Sequence, residues 1–356
     1  MNTSGASVAH LTSNNSNNSN NSSKSISELV AALEQTNLYS YISQIATVYG
    51  FPPVKGGMDA SLAAIEASIQ NPTAAFPNAT VSSLEKMIDR VIISGSNYYS
   101  IDETIDPNFQ PFVHKIFNSS VPESRYESLY PKRLHDGNSL GNNIKGFYLT
   151  KLLDTGDGLA FIYSYIYSVK IKGSRGLGLS YTPQQHFVTA FIPHNKNRVE
   201  YRIPKLLGKR EAAKALLALR NEFYDLFVKN NYNIVFESLN FYNAITNIIA
   251  DKQFGRAVQI IYVGSNTGSD ANVIGRKDPS YEARDVEIKN TKRNDIYSPR
   301  SVAVRFYRNN GDFTELGLDP NKKSWLDDDF CGEFYIDFPE DTLSLNGLIE
   351  NVISRK

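Results

Sequence analysis

Cysteine is almost missing from this chain of 356 residues. Cys331 stands alone, which excludes an intramolecular disulfide and any zinc site built on several thiolates. Such sparse use fits a reducing compartment, and a cytoplasmic protein is expected. Neither sign of charge is in surplus, because 37 Lys and Arg face 37 Asp and Glu. That balance removes the simplest reading, a uniformly basic nucleic-acid binder. Met1 to Thr12 contains no basic stretch followed by an apolar one, so no secretory signal is expected. The longest apolar and aromatic run, Leu159 to Tyr167, is too short to span a bilayer, so no transmembrane segment is expected. The five histidines (His10, His114, His135, His186 and His194) form no His-x-x-x-His pair and none adjoins Cys331, so no zinc motif is spelled out. Ser180 lacks a Gly-x-Ser-x-Gly setting, and Gly173 to Gly178 lacks the Lys-Ser/Thr ending of a phosphate loop.

What is present suffices for a sizeable core. Hydrophobic residues make up 41% and aromatic ones 12% of the chain, and a prior of roughly 150 residues per domain gives about two domains. The first 24 residues hold seven Asn and seven Ser, and such a tract cannot bury enough apolar surface to offset its ordering entropy. Residues 1–24 therefore read as a disordered tail.

From Ser25 to about Ser94 the pattern is helical. Ser25 with Glu28, and Ser82 with Glu85, have capping-box spacing, and Asp59 precedes the Leu62, Ile65, Ile69 stripe as a candidate cap. Residues 95–145 lack sustained periodicity and read as a connector. The texture then turns to strand in Phe147 to Leu153, Leu159 to Lys172, His186 to Ile192 and Arg198 to Ile203, with short connections that favour antiparallel pairing. A long helix over Lys209 to Lys229 and a shorter one through Phe241 to Ile249 follow. Strands resume at Ala257 to Val263, Arg284 to Lys289, Ser301 to Arg308 and Gly332 to Phe338, and Leu343 to Ile353 closes as a helix. Strands on both sides of a helical pair, without βαβ alternation, predict an α+β fold. Its parts are a mainly helical N-terminal unit with connector (25–135) and a mostly antiparallel sheet domain with two central helices (136–356).

The neutral total conceals segregation. Residues 196–229 carry a net charge of plus five, 271–310 plus four and 311–356 minus seven. Lys205, Lys209, Arg210, Lys214 and Arg220, together with Lys289, Lys292, Arg293 and Arg300, form a candidate phosphate-binding surface. The competing expectation is that the acidic C-terminal section packs against the basic ones. Period-two alternation puts Phe161, Tyr163, Tyr165 and Tyr167 on one strand face, either as core or as a platform for unpaired bases. Asp327, Asp328 and Asp329 read as an exposed turn, since three consecutive carboxylates cannot point to one centre.

One segment carries reaction-like chemistry. Asp270 is followed 17 residues later by Glu287 and two beyond it by Lys289. On a strand, Asp285, Glu287 and Lys289 share a face. The trio resembles the PD-(D/E)xK nuclease pattern over about 20 residues, although no Pro precedes Asp270. That resemblance implies Asp270 and Glu287 as Mg²⁺ ligands and Lys289 as the group that stabilises the attacking hydroxide. The leading expectation is nevertheless a binding protein that needs no cofactor and engages nucleic acid or a partner protein. The Mg²⁺-dependent nuclease is the alternative. A setting in bacterial defence suits both and rests on no residue, and no motif encodes the oligomeric state.

Overall fold

The computed structural model describes residues 24–54, 56–135, 145–172, 179–265, 268–276, 278, 280–286 and 296–356. The Asn/Ser-rich tract up to residue 23 lies outside them. The elements in chain order are α1 (Ile26–Gln35), α2 (Tyr39–Ile45), α3 (Met58–Gln70), α4 (Val81–Ser94), β1 (Asn97–Glu103), α5 (Phe109–Ser119), α6 (Ser124–Leu129), β2 (Gly146–Asp154), β3 (Gly158–Lys172), β4 (Leu179–Pro193), β5 (Arg198–Pro204), α7 (Gly208–Lys229), β6 (Glu237–Ser238), α8 (Tyr242–Ala250), β7 (Arg256–Gly264), β8 (Asp270–Ile274), β9 (Tyr297–Tyr307), β10 (Phe313–Leu318), α9 (Lys322–Asp327), β11 (Phe334–Asp337) and α10 (Thr342–Ile353). The α+β class is as expected. Among the described residues no helix is long and apolar enough to cross a membrane.

Local chemistry sets the helix starts. The Ser25 capping box is complete, with Ser25 Oγ accepting from the Glu28 amide and Glu28 accepting from the Ser25 amide. Two other starts differ from the sequence reading. Thr80, not Ser82, caps α4 by accepting from the Ser83 amide, and α3 begins after Gly57, which leaves Asp59 inside its first turn. There its negative charge still suits the helix dipole.

One eleven-stranded sheet organises the molecule, in the order β2-β3-β4-β5-β1-β11-β10-β9-β7-β8, with the two-residue β6 also paired to β1. Each described pairing is antiparallel. The connector read at 95–145 thus contributes β1, a central strand between β5 and β11. The sheet therefore runs through the 25–135 section as well as the later one. Pro183 is accommodated because β5 pairs only with Thr189–Phe191 of β4, so the missing amide removes no bond on that side.

Register fixes which side chains share a face. On β5, Val199, Tyr201 and Ile203 point to one side, where they join Phe161 and Tyr163 of β3 and Leu219, Phe223 and Phe227 of α7. This covering answers the question of the tyrosine strand, whose Phe161 and Tyr163 are core under α7, with Tyr165 OH donating to Glu211 (2.6 Å). The opposite face of β3 and β4 packs on α1 to α4 through Ile162 and Phe187. Farther along that same opposite face, Tyr99, Val304, Leu316 and Ile336 pack on Ile245 of α8, Trp325 of α9 and Ile349 of α10. Among the described residues, helices cover both faces on one half of the sheet and only one face on the other half.

Candidate functional site: the uncovered half of the sheet

Across the uncovered half, directly opposed residues form a row from Ile203 through Tyr98, Tyr335, Gly317 and Ala303 to Gln259. A parallel row runs Asp337, Glu315, Arg305, Arg256. Apart from α7, whose first turn brings Lys209 to the rim, the described helices belong to cores elsewhere. The result is a concavity of about 350 Å³ bounded by Tyr98, Lys205, Lys209, Arg276, Arg305 and Tyr335, among others. Gly317 is needed here, because a Cβ at that position would overlap the Tyr335 ring.

Glu315 is the electrostatic anchor. It is buried and accepts from Arg276, from Arg305 Nε (2.8 Å) and from Tyr335 OH (2.9 Å). Burial pushes its carboxyl up, but the bonds and charge of Arg276, then Arg305 and Tyr335, outweigh that and hold it below its usual range. Burial drives the Tyr98 phenol up to about 12, with Glu333, Asp337 and Asp319 adding to the effect. Tyr335 is raised by burial and by Glu315. Both rings stay neutral at physiological pH. Cations already sit on the aromatic faces, with Lys205 Nζ 3.6 Å from the Tyr335 centroid and the Arg305 guanidinium 4.0 Å from that of Phe313.

The sequence-selected cations divide. Lys205 and Lys209 line the concavity, with Arg210 exposed on the next residue. Lys205 pairs with Asp337 (2.5 Å), Lys209 with Asp319, and Arg300 with Asp319 (3.1 Å), so acidic C-terminal residues do meet basic ones. Lys214 pairs with Glu211 (2.8 Å), and Arg220 ties α7 to β1 through Asp102 (2.8 Å) and Ser100 (2.9 Å). Lys292 and Arg293 lie outside the described residues. Sequence reading missed Tyr98, Arg276, Arg305, Glu315 and Tyr335. The polar alternation of Arg305 within its strand and of Glu333, Tyr335 and Asp337 within theirs is the signal that marks an open face.

The nuclease trio fares differently. Asp270 sits on edge strand β8, where it pairs with Lys322 (2.8 Å) and more loosely with Arg300 (3.8 Å). Glu287 and Lys289, and with Lys289 one more of the expected cations, lie outside the described residues. The strand expected over Arg284 to Lys289 does not begin as one, because Ala283–Asp285 is a 3-10 turn. Its cause is Arg284, buried and donating to the carbonyls of Gly255, Ile248 and Phe254, while Glu282 accepts the Arg284 amide. Asp285 instead pairs with Lys252 (2.6 Å) on the surface. Among the described residues no three His, Cys, Asp or Glu side chains converge as a metal-binding group. Asp327, Asp328 and Asp329 are exposed at the end of α9. The buried Cys331 thiol is pushed up to about 12 by desolvation, unsuited to nucleophilic use.

Glu333, two residues before Tyr335, is a second unusual carboxyl. Burial raises it, only partly offset by Lys209 and Arg220. A raised folded-state value means that ionisation penalises the fold once pH exceeds the ordinary carboxyl range. Glu333→Gln is therefore expected to raise the melting temperature at pH 7 and to lose that advantage near pH 4. An equal shift at both pH values in thermal melts would contradict this account.

The chain matches no family model, no curated protein and no solved structure.

Proposed function

We propose that this protein is a binding module whose working surface is the uncovered half-sheet, and that its ligand is single-stranded nucleic acid. The observation that carries the reading is the interleaving of aromatic rings with cations on a sheet face that no described helix covers. Unpaired bases present π-faces that stack on such rings, at about 1–3 kcal/mol per base. Tyr98 and Tyr335 supply the rings, and Lys205, moving off both the Tyr335 ring and the Asp337 carboxylate, turns to a phosphate. Lys209 and Arg276 have about half and a third of their side chains exposed, so both are within reach of a backbone. With Lys205 and Arg210 they neutralise about three phosphates, which for a single strand gives a log-log salt slope of about −2.

Fluorescence anisotropy with labelled single-stranded DNA and RNA, at 50 and 200 mM salt, tests this reading. Affinity is expected to fall about tenfold or more across that range. A Lys209→Glu, Arg276→Gln double substitution is expected to cost a further tenfold, and Tyr98→Ala about tenfold by removing a stacking face. No binding to either oligonucleotide, or binding indifferent to all three changes, would exclude nucleic acid at this face and redirect the search to a protein partner.

A further inference from the structure

On the opposite face of the sheet a second cavity, of about 330 Å³, opens between α4, the turn joining β2 to β3, and the start of α10. Two guanidiniums from different elements line it, and each is incompletely satisfied. Arg90 of α4 donates through Nε to Tyr41 OH (3.2 Å) and through Nη1 to Thr342 Oγ1 (2.8 Å), while Nη2 is buried without an acceptor. None of its partners is a carboxylate. Arg202 of β5 is only 2% exposed, lies 3.7 Å over the Phe191 ring, and donates to Glu200 (2.7 Å) and Ser94 (3.1 Å), yet its Nε is also buried without an acceptor. Lys86 stands on the same wall, and so does Thr342, the first residue of α10, whose N-terminus is capped by the Asp341 carboxylate accepting from the Ser344 amide (2.6 Å). A buried charged donor left unpaired is costly, and both of these guanidiniums belong to the lining of the one cavity.

The carboxylates lining the cavity are already engaged. Asp89 accepts from Tyr130 OH (2.7 Å) and Lys151 (3.2 Å), Asp154 from the Gly156 amide (2.9 Å) with His194 at 3.2 Å, and Asp157 from Thr155 Oγ1 (2.6 Å) and Asn346 Nδ2 (3.1 Å). They do not neutralise Arg90, but a carboxylate has about four lone-pair sites, so Asp154 and Asp157 retain capacity for hydroxyl donors. A phosphate group alone would leave most of the volume empty. We propose that this cavity binds a phosphate monoester of a small polyhydroxylated compound. The phosphate lodges between Arg90 and Arg202, Lys86 guards the mouth, and hydroxyls donate to Asp154 and Asp157. This site is independent of the nucleic-acid reading.

Calorimetric titration of the full chain with ribose 5-phosphate, inorganic phosphate and ribose is the test. Ribose 5-phosphate is expected to bind at least tenfold tighter than inorganic phosphate and to raise the melting temperature, with ribose giving neither response. Arg90→Gln is expected to weaken ribose 5-phosphate at least tenfold, and Lys86→Gln, on an exposed position that does not threaten folding, about threefold. Lys209→Glu, on the other face of the sheet, is expected to leave this binding unchanged. No response to either phosphate, binding of ribose equal to that of its phosphate, inorganic phosphate binding as tightly as the ester, or unchanged affinity in both Arg90→Gln and Lys86→Gln would each overturn the proposal.

Discussion

Glu200→Gln is expected to destabilise the protein by about 3–5 kcal/mol, a large fraction of the roughly 5–15 kcal/mol that holds a typical domain folded. Glu200 is fully buried on β5 between two buried guanidiniums. Its Oε1 accepts from Arg198 Nε (3.1 Å) and Nη2 (2.7 Å), and its Oε2 from Arg202 Nη2 (2.7 Å). Arg198 continues to Glu350 of α10 (2.8 Å), so the triad joins the sheet to the closing helix. Removing that negative charge strips Arg202 of its carboxylate and leaves Arg198 with Glu350 alone, so two buried cations are under-compensated, and the amide cannot answer both forks. Urea midpoints at pH 7 measure the cost. A Glu200→Gln, Arg202→Met double variant is expected to recover part of it, because the second change removes one of the stranded charges. A loss below about 1 kcal/mol in the single variant would show that the triad does not hold the sheet to α10 as this account requires. Lys214→Ala, which breaks only the partly exposed pair with Glu211, is expected to cost less than about 1 kcal/mol.

The contrast between these pairs explains what was legible in the sequence. Strands β2, β3 and β5 and helices α7, α8 and α10 have apolar periodicity over most of their length, and their ends fall within a few residues of those expected. Strand β1 was not legible, because Asn97, Ser100 and Asp102 give it the composition of a loop. Ser100 and Asp102 are buried and answered from distant segments: Asp102 by Arg220 and Ser238, Ser100 by donating to the Gly332 carbonyl. Tertiary partners more than 100 residues away decide that strand. Non-local contacts also decide the 3-10 turn at Arg284, whose carbonyl partners, 29 to 36 residues away, come from the end of α8 and the segment after it.

The uncovered face follows this rule too. Charge segregation pointed to Lys205 and Lys209, both of which border it. Arg276, Arg305, Glu315 and Tyr335 come from four further segments that only the strand order β11-β10-β9-β7-β8 brings together. The regular alternation of the tyrosine strand was open to both a core and a platform reading. Alternation identifies a face but not what covers it, and α7 covers that one.

Acidification from pH 7 to pH 4 is expected to remove about 3 kcal/mol of stability through His186 alone. The ring is buried on β4 beside Tyr167, in the wall of a largely apolar cavity of about 210 Å³ shared with Val91, Ile92 and Phe187. Burial, reinforced by the Arg133 charge, lowers its pKa from 6.5 to about 3. The folded state thus resists a proton that the unfolded chain accepts. Above pH 6.5 the group costs nothing; between 6.5 and 3 each pH unit removes about 1.4 kcal/mol, and below 3 the loss is complete. Glu315, held low by its two arginines, is also expected to weaken the fold in acid, so wild-type data alone do not isolate the histidine. The measurement is therefore a difference. Urea midpoints of wild type and His186→Gln are compared at pH 7 and pH 4, and the gap between the two proteins is expected to shift by about 3 kcal/mol in favour of the variant at low pH. A gap that does not change with pH would mean that His186 is protonated in the folded protein, and that the wall of this cavity admits a charge.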